Sequence, residues 1–528
     1  MMLSTLGIPA AQGASQTAIN SAITNGLSYL ASTQYPGGSW PGPYPVASTA
    51  MAVLAFENNG HYGWNSSDTD HTIVQNGLNW LFSTASTTPI SGANSAGNPD
   101  VSGDGYGIFW AGDSGDCVQG GTSEPDACVY ETPMVLMAIV ASNAKTNVTT
   151  TGPTGVVGRT YIAVAQDIVD WIAWAQNSKP GCCGVYEGGW RYDPQTPDGS
   201  DNSVSQWPVV GLLAAQLWGV NAPSWVATEL QKWIKADQDL SGTPATNPYY
   251  GAFDYLPGEE LYSPAESAAG IAELTYVGAS KTNSSILAAE GYLYSDWTPS
   301  GGSPCCSDWN WNIGDLYDMY AVMKAERLTT PTPSNVTNYA GNAIINWYNG
   351  VGQYADSLLA NQGGDGHWNN WVPVSEGDDV SNYLGTAWGV LILEYVASVR
   401  VTYTLSANVA DANTLLPIPG VTVTAVGPTS QSGTTGANGW VTFDNVQGGT
   451  YNVAASKSCY LPTRLSSQII DLDRSIVVNM TLTQNPDCVR PTPEFGASSV
   501  MTMIIAALGA AVVILVRPKK LQARTKTR

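Results

Sequence analysis

Two stretches, Gln34-Tyr-Pro-Gly-Gly38-Ser-Trp40 and Gln362-Gly-Gly-Asp-Gly366-His-Trp368, share the pattern Gln-x3-Gly-x-Trp near opposite ends of one long segment. Each follows a helical stretch with one apolar face and precedes a smaller, more apolar helix. Working outward, the first kind of helix recurs as an aromatic–aliphatic pair: Tyr29-Leu30, Trp80-Leu81, Trp171-Ile172, Trp233-Ile234, Tyr292-Leu293, and Trp347. The second kind recurs at 49–59, 132–142, 207–217, 266–276, 316–326 and 385–395. Six such pairs with unequal connections define a helical repeat array. Helices that are apolar nearly all round belong inside a ring of amphipathic ones. The expected fold of residues 15–398 is therefore an all-α (α/α)6 ring, in which the two quoted stretches meet on closure.

Gln-x3-Gly-x-Trp is the repeat motif of squalene and related triterpene cyclases, which this segment resembles. Residues 188–216, beginning Gly188-Gly-Trp190-Arg-Tyr192, resemble secreted proteins with prenyltransferase/squalene-cyclase repeats. The resemblance implies an α/α toroid of twelve helices. In the residues themselves, Gln can satisfy free backbone groups at a helix end while Trp packs on the next repeat. Class II terpene cyclases carry Asp-x-Asp-Asp, and Glu376-Gly377-Asp378-Asp379 stands in that setting. Carry-over makes Asp378 a general acid between Glu376 and Asp379. The alternative is an acidic helix cap, favoured because one toroid stands here where the cyclases use two. The zinc site of protein prenyltransferases needs Cys beside His, which His61, His71 and His367 lack.

Composition narrows the function. Charged residues are 12% of 528 and the formal charge is −22. Six of the 20 basic residues lie in 517–528, so residues 1–516 carry −28. Such a surface repels phosphate backbones and excludes nucleic acid as a partner. The 19 Trp and 26 Tyr are the unusual feature. Tyr186, Trp190, Tyr192, Trp207, Trp309, Trp311, Trp368 and Trp371 fall in or beside loops that gather at one end of a ring. With Arg191 they suit the faces and hydroxyls of sugars; the competing reading is packing between repeats. Asp198 and Asp201 stand in a Gly turn that could hold calcium, or cap a helix. No other cofactor is expected. The leading expectation is a binding module for a surface glycan or surface-layer protein. The alternative is an enzyme acting on polysaccharide or isoprenoid lipid, with Asp378 as its acid.

Residues 400–485 alternate β-branched and polar residues between turns, the pattern of an antiparallel β-sandwich. Pro417–Thr424, Ala437–Phe443 and Val446–Val453 resemble carboxypeptidase-regulatory-like domains of the prealbumin type. Where that family has Gly-Tyr this chain has Cys459-Tyr460, consistent with an added disulfide to Cys488. A Pro-rich linker (486–495) leads to an apolar span (496–516) and a basic cytoplasmic tail (517–528). The 22 uncharged residues 495–516 reach about 33 Å as a helix, enough for a bilayer. The positive-inside rule places the preceding domains outside. Pro493-Glu494-Phe495, the span and the tail together resemble archaeal surface-sorting signals. Residues 1–14 are expected to be a signal remnant. Export implies disulfides: Cys117 and Cys128 make a local bridge, whereas Cys182, Cys183, Cys305 and Cys306 either join two loops or close vicinal rings. Asn65, Asn147, Asn283, Asn335 and Asn479 are glycosylation sequons on the outer side.

Overall fold

The computed structural model describes residues 13–485 apart from 91–93, 112–116, 118–127, 179–183, 197–198, 298–311, 330–334, 373–379, 396–401, 427–430, 448 and 471–475. The chain divides into two units, residues 1–399 and 400–528. In the first, six helices form an inner set: α2 (Pro45–Asn58), α4 (Cys128–Ala141), α6 (Asn202–Gln216), α8 (Pro264–Tyr276), α10 (Leu316–Leu328) and α12 (Asn382–Glu394). Each packs on the next, and α12 packs back on α2, which closes the ring. The outer set is α1 (Gln16–Thr33), α3 (His71–Ser83), α5 (Tyr161–Ala175), α7 (Ser224–Asp237), α9 (Ser284–Ser295) and α11 (Tyr354–Asn361). Burial separates the two sets. Every residue of α2 from Val46 to Asn58 is buried, while α1 buries only Ile19, Ala22, Gly26, Leu27 and Leu30. Small residues let the inner helices approach: a Cβ on Gly211 of α6 would lie 2.9 Å from Pro133 of α4.

One repeated device joins the hairpins. Gln34 Nε2 donates to Gly38 O (2.9 Å) and to Ile73 O of the next outer helix (2.8 Å). Gln176 does the same to Gly188 O and Val226 O, and Gln238 to Gly251 O and Ser285 O. Gln362 donates to Gly366 O and Ala22 O, tying the last outer helix to the first. All four glutamines follow the last residue of an outer helix, and each ties the loop after it to a carbonyl of the neighbouring outer helix, in the first turn for Ile73, Val226 and Ser285 and further along α1 for Ala22. The sequence pattern exposes only the first and last. In the others, the distance from Gln to Gly grows to 12 and 13 residues, so the spacing breaks although the contacts persist.

Two short hairpins decorate the ring: β1 (Ser86–Pro89) with β2 (Tyr106–Phe109), and β3 (Val336–Thr337) with β4 (Ile344–Ile345). Cys117 and Cys128 form the expected disulfide. The second unit contains β5 (Thr402–Asp411), β6 (Thr422–Val426), β7 (Gln431–Thr434), β8 (Trp440–Gln447), β9 (Gly449–Ser456), β10 (Thr463–Ile470) and β11 (Ile476–Leu482). Its sheets run β10-β9-β6-β7 and β11-β5-β8 around a core including Leu405, Val423, Phe443, Tyr451 and Val453. The expectation of a wholly antiparallel sandwich is corrected at one pair. β11 lies parallel to β5, from Ile476 opposite Leu405 to Leu482 opposite Asp411. Alternation reports which side chains face the core but not strand direction, so the sequence left this open.

No helix among the described residues is long and apolar enough to cross a membrane. The expected span 496–516, with its linker, tail and residues 1–12, lies outside them.

Candidate functional site

The connections from outer to inner helices gather where the inner helices begin. Tyr192, Tyr255, Tyr130 and Tyr317 are half-buried at this end. Arg191 Nη1 donates to Asp201 Oδ2 at 2.7 Å and lies 3.4 Å from the Tyr255 hydroxyl. Its guanidinium also sits over Tyr192, 4.9 Å from the ring centroid. The Tyr192 and Tyr255 hydroxyls meet at 3.4 Å. Deeper in, the Trp207 ring stacks on Tyr320 and Trp388 at 6.0 and 6.2 Å and contacts Tyr130 at 5.4 Å. Lys324 Nζ lies 3.7 Å from the Trp207 centroid and donates to Gln206 Oε1 at 2.6 Å. Gln206 Nε2 in turn donates to the Tyr317 hydroxyl at 2.7 Å. A continuous polar and aromatic wall thus runs from Arg191 to Lys324.

Burial controls the charges along this wall. It pushes the Tyr192 phenol up to about 12, and the nearby Asp201 charge adds to the shift. Burial also raises the Asp201 carboxyl, against the opposing pull of Arg191. Glu266, in the first turn of α8, is held well above the ordinary carboxyl range by burial and by its neighbours Asp201, Glu273 and Asp254. One of its oxygens, Oε2, closes no hydrogen bond. Burial drives the Lys324 amine well below its usual value, opposed by Glu266. Arg191 and the tyrosine hydroxyls can therefore meet a polar ligand without presenting a strong net field.

Several residues expected in this wall stand elsewhere. Trp190 and Trp368 are 0% exposed. Their indole Nε1 groups donate to Ile172 O and Leu358 O, and their backbone N–H groups to Ser205 Oγ and Thr386 Oγ1. Trp40 and Trp110 repeat both bonds, so these four indoles are structural. Tyr186 and Trp371 are half-buried against the ring core. Asp201 follows the capping alternative: Oδ1 accepts from Val204 N and Oδ2 from Arg191, so calcium there would have to displace the arginine. Asp198, Trp309, Trp311, Glu376, Asp378, Asp379, Cys182, Cys183, Cys305, Cys306 and Cys488 lie outside the described residues. Cys459 is exposed, and none of the five sequon asparagines is buried. Tyr130, Tyr255, Tyr317, Gln206, Glu266 and Lys324 were missed. Four of them stand in the first five residues of an inner helix, polar groups in otherwise apolar stretches, and that was the available signal.

Two other features are less organised. A cleft of about 400 Å³ is lined by Asp239, Asn247, Tyr249, Glu260 and Tyr262, with the two tyrosines stacked at 4.8 Å. Asp239 already accepts from Ser241 N and Asn247 Nδ2 within its own loop. His61, Asp68 and Asp70 bring three ligand atoms within 4.8 Å, but His61 Nδ1 bonds directly to Asp68 at 3.0 Å.

Ring closure and the wall at its mouth define the class of the first unit: an α/α toroid with a polar, aromatic end. For the second unit, the family described as Carboxypeptidase regulatory-like domain matches residues 404–483. No curated protein matches the chain. Among solved structures, the glucoamylase of Hormoconis resinae aligns at 11% identity and a TM-score of 0.36, covering 91% of this chain and 100% of that one. The glycoside hydrolase family 15 glucoamylase of Hypocrea jecorina aligns at 9% and 0.37, covering 88% and 99%. Neither likeness bears on activity, and the ring assignment rests on its own helix packing.

Proposed function

We propose that the toroid is a glycan-binding module displayed outward at a cell surface. The observation that carries this is the half-buried group Tyr192, Tyr255, Tyr130 and Tyr317 around the Arg191–Asp201 pair. Such rings offer flat faces to sugar C–H groups, and their hydroxyls offer hydrogen bonds. Anchoring by residues 496–516 and export of the preceding domains complete the proposal, with a surface glycan or a glycosylated surface-layer protein as partner. Tyr192→Ala or Tyr255→Ala should weaken retention on a neutral-polysaccharide array by roughly 1–3 kcal/mol while leaving the fold intact. Unchanged affinity in both variants would reject the wall as the binding surface. Protease added to intact cells should remove residues 1–490, and a protected toroid would reject surface display.

A second reading, turnover of the same glycan, is favoured by Glu266, a buried acid held above the ordinary carboxyl range beside Asp201 and Lys324 of the wall. Glu266→Gln, or Asp378→Asn for the acid expected from sequence, should then cut turnover about a hundredfold or more. Binding with no turnover in the parent chain selects the first reading.

A further inference from the structure

Among the described residues of the first unit, fourteen acidic side chains are buried, against a single buried lysine. The sharpest case lies where α7 packs on α8. Asp237 ends α7 at 3% exposure, Glu273 on α8 is 0% exposed, and none of their four carboxyl oxygens closes a hydrogen bond. The groups that face them are themselves acids. Asp237 meets Glu273, Asp254, Glu266 and, more distantly, Asp201 at the start of α6. Trp233 of α7 is the polar neighbour of Glu273, though its Nε1 closes no hydrogen bond.

Cations on the surrounding elements are directed elsewhere. On α7, Lys232 bonds to Glu187 and Glu229, and Lys235 is exposed. Glu290 of α9 is paired with Lys281, and Glu326 of α10 lies near that pair. Also on α10, Lys324 faces Glu266 and Trp207, Arg327 covers Tyr395, Asp318 lies near Tyr354, and Tyr317 and Tyr320 turn to Trp207. A bound metal does not fit either: among the described residues, these carboxylates bring no three ligand atoms within 4.8 Å of one another. Two unpaired carboxylates in a dry contact are too costly to keep charged.

We infer that the toroid is built for an acidic medium: Asp237 and Glu273 enter the folded ring as neutral carboxylic acids, so protons hold the α7–α8 contact and rising pH loosens it. Burial, with like charges added at Asp237, raises both groups well above the carboxyl range, in agreement with this arrangement. The sign follows from linkage. The folded chain holds these protons more tightly than the unfolded chain, so the contribution is complete below about pH 4. It declines as the unfolded carboxyls ionise, until the folded groups titrate.

The test is urea unfolding of the full chain from pH 4 to pH 7, followed by tryptophan fluorescence. Eighteen of the 19 tryptophans lie in residues 1–399, so the signal reports the toroid. Each such acid should raise the unfolding constant about tenfold per pH unit, so the midpoint should fall as the pH rises. Asp237→Asn and Glu273→Gln should each remove about one tenfold step per unit while keeping the midpoint at pH 4. A parent chain as stable at pH 7 as at pH 4, or variants with the parental slope, would overturn the inference. If a variant does not fold, infrared spectra of the parent decide. The band of protonated carboxyl groups should be present in folded chain at pH 6 and vanish on unfolding; its absence from the folded chain also overturns the inference.

Discussion

At the scale of single residues, the ring depends on positions where chain geometry admits little choice. Gly188 has φ of 102°, and a Cβ there would come within 2.0 Å of Glu229 O on α7. Gly219 also has positive φ, 76°, but a Cβ would meet nothing within 4 Å. Gly219→Ala should therefore cost about 1 kcal/mol, the backbone penalty alone, and Gly188→Ala at least about 3 kcal/mol in a urea midpoint comparison. Trp190→Ala should cost roughly 3–5 kcal/mol of stability, because a buried indole and its Nε1 hydrogen bond to Ile172 O are lost. This is where reading the chain by residue type fell short. Tryptophan in a Gly-rich loop fits a sugar platform and a packing wedge equally well. Burial decides for packing at Trp190 and Trp368, and leaves the wall to four tyrosines, of which residue type and position single out Tyr192 but not Tyr130, Tyr255 or Tyr317.

At the scale of elements, the hairpins were legible because inner and outer helices differ in how much of their circumference is apolar. Their starts are fixed by local caps. Ser15, Asp201, Ser263, Asn283, Asp315 and Ser381 each accept a first-turn backbone N–H. Ser263→Ala should cost about 1 kcal/mol, since α8 then begins with an unsatisfied donor inside the ring. The Cys117–Cys128 bridge fastens the long connection into α4 and closes a loop of 11 residues. Cys117→Ser should lower stability by roughly 2–3 kcal/mol, and mass mapping without reductant should recover the linked peptides from the parent chain. The parallel pairing of β11 with β5 was not legible. Strand direction depends on which sheet a strand joins, and alternation is blind to that.

At the scale of the whole molecule, each unit has its own core, so heating the full chain should give two calorimetric transitions instead of one. Within the first unit, closure distinguishes a ring from an open solenoid. Deleting α11 and α12 should abolish the toroid transition outright, because α2 then loses its neighbour α12 and the first and last repeats both expose their seams. An open array would merely become shorter. What the sequence by itself determined was the repeat number, the inner and outer roles of the helices and the alternation of the second unit, because these follow from periodicity, which is local. The first and last Gln-Gly-Trp motifs were readable for the same reason. Tertiary structure alone identified the other two glutamine anchors, the wall from Arg191 to Lys324 and the unpaired acids between α7 and α8. The anchors and the wall join residues from different repeats, and the two acids meet across the long connection between the helices of one pair. Whether a carboxyl there is charged or neutral depends on the water and counter-charges that packing leaves beside it.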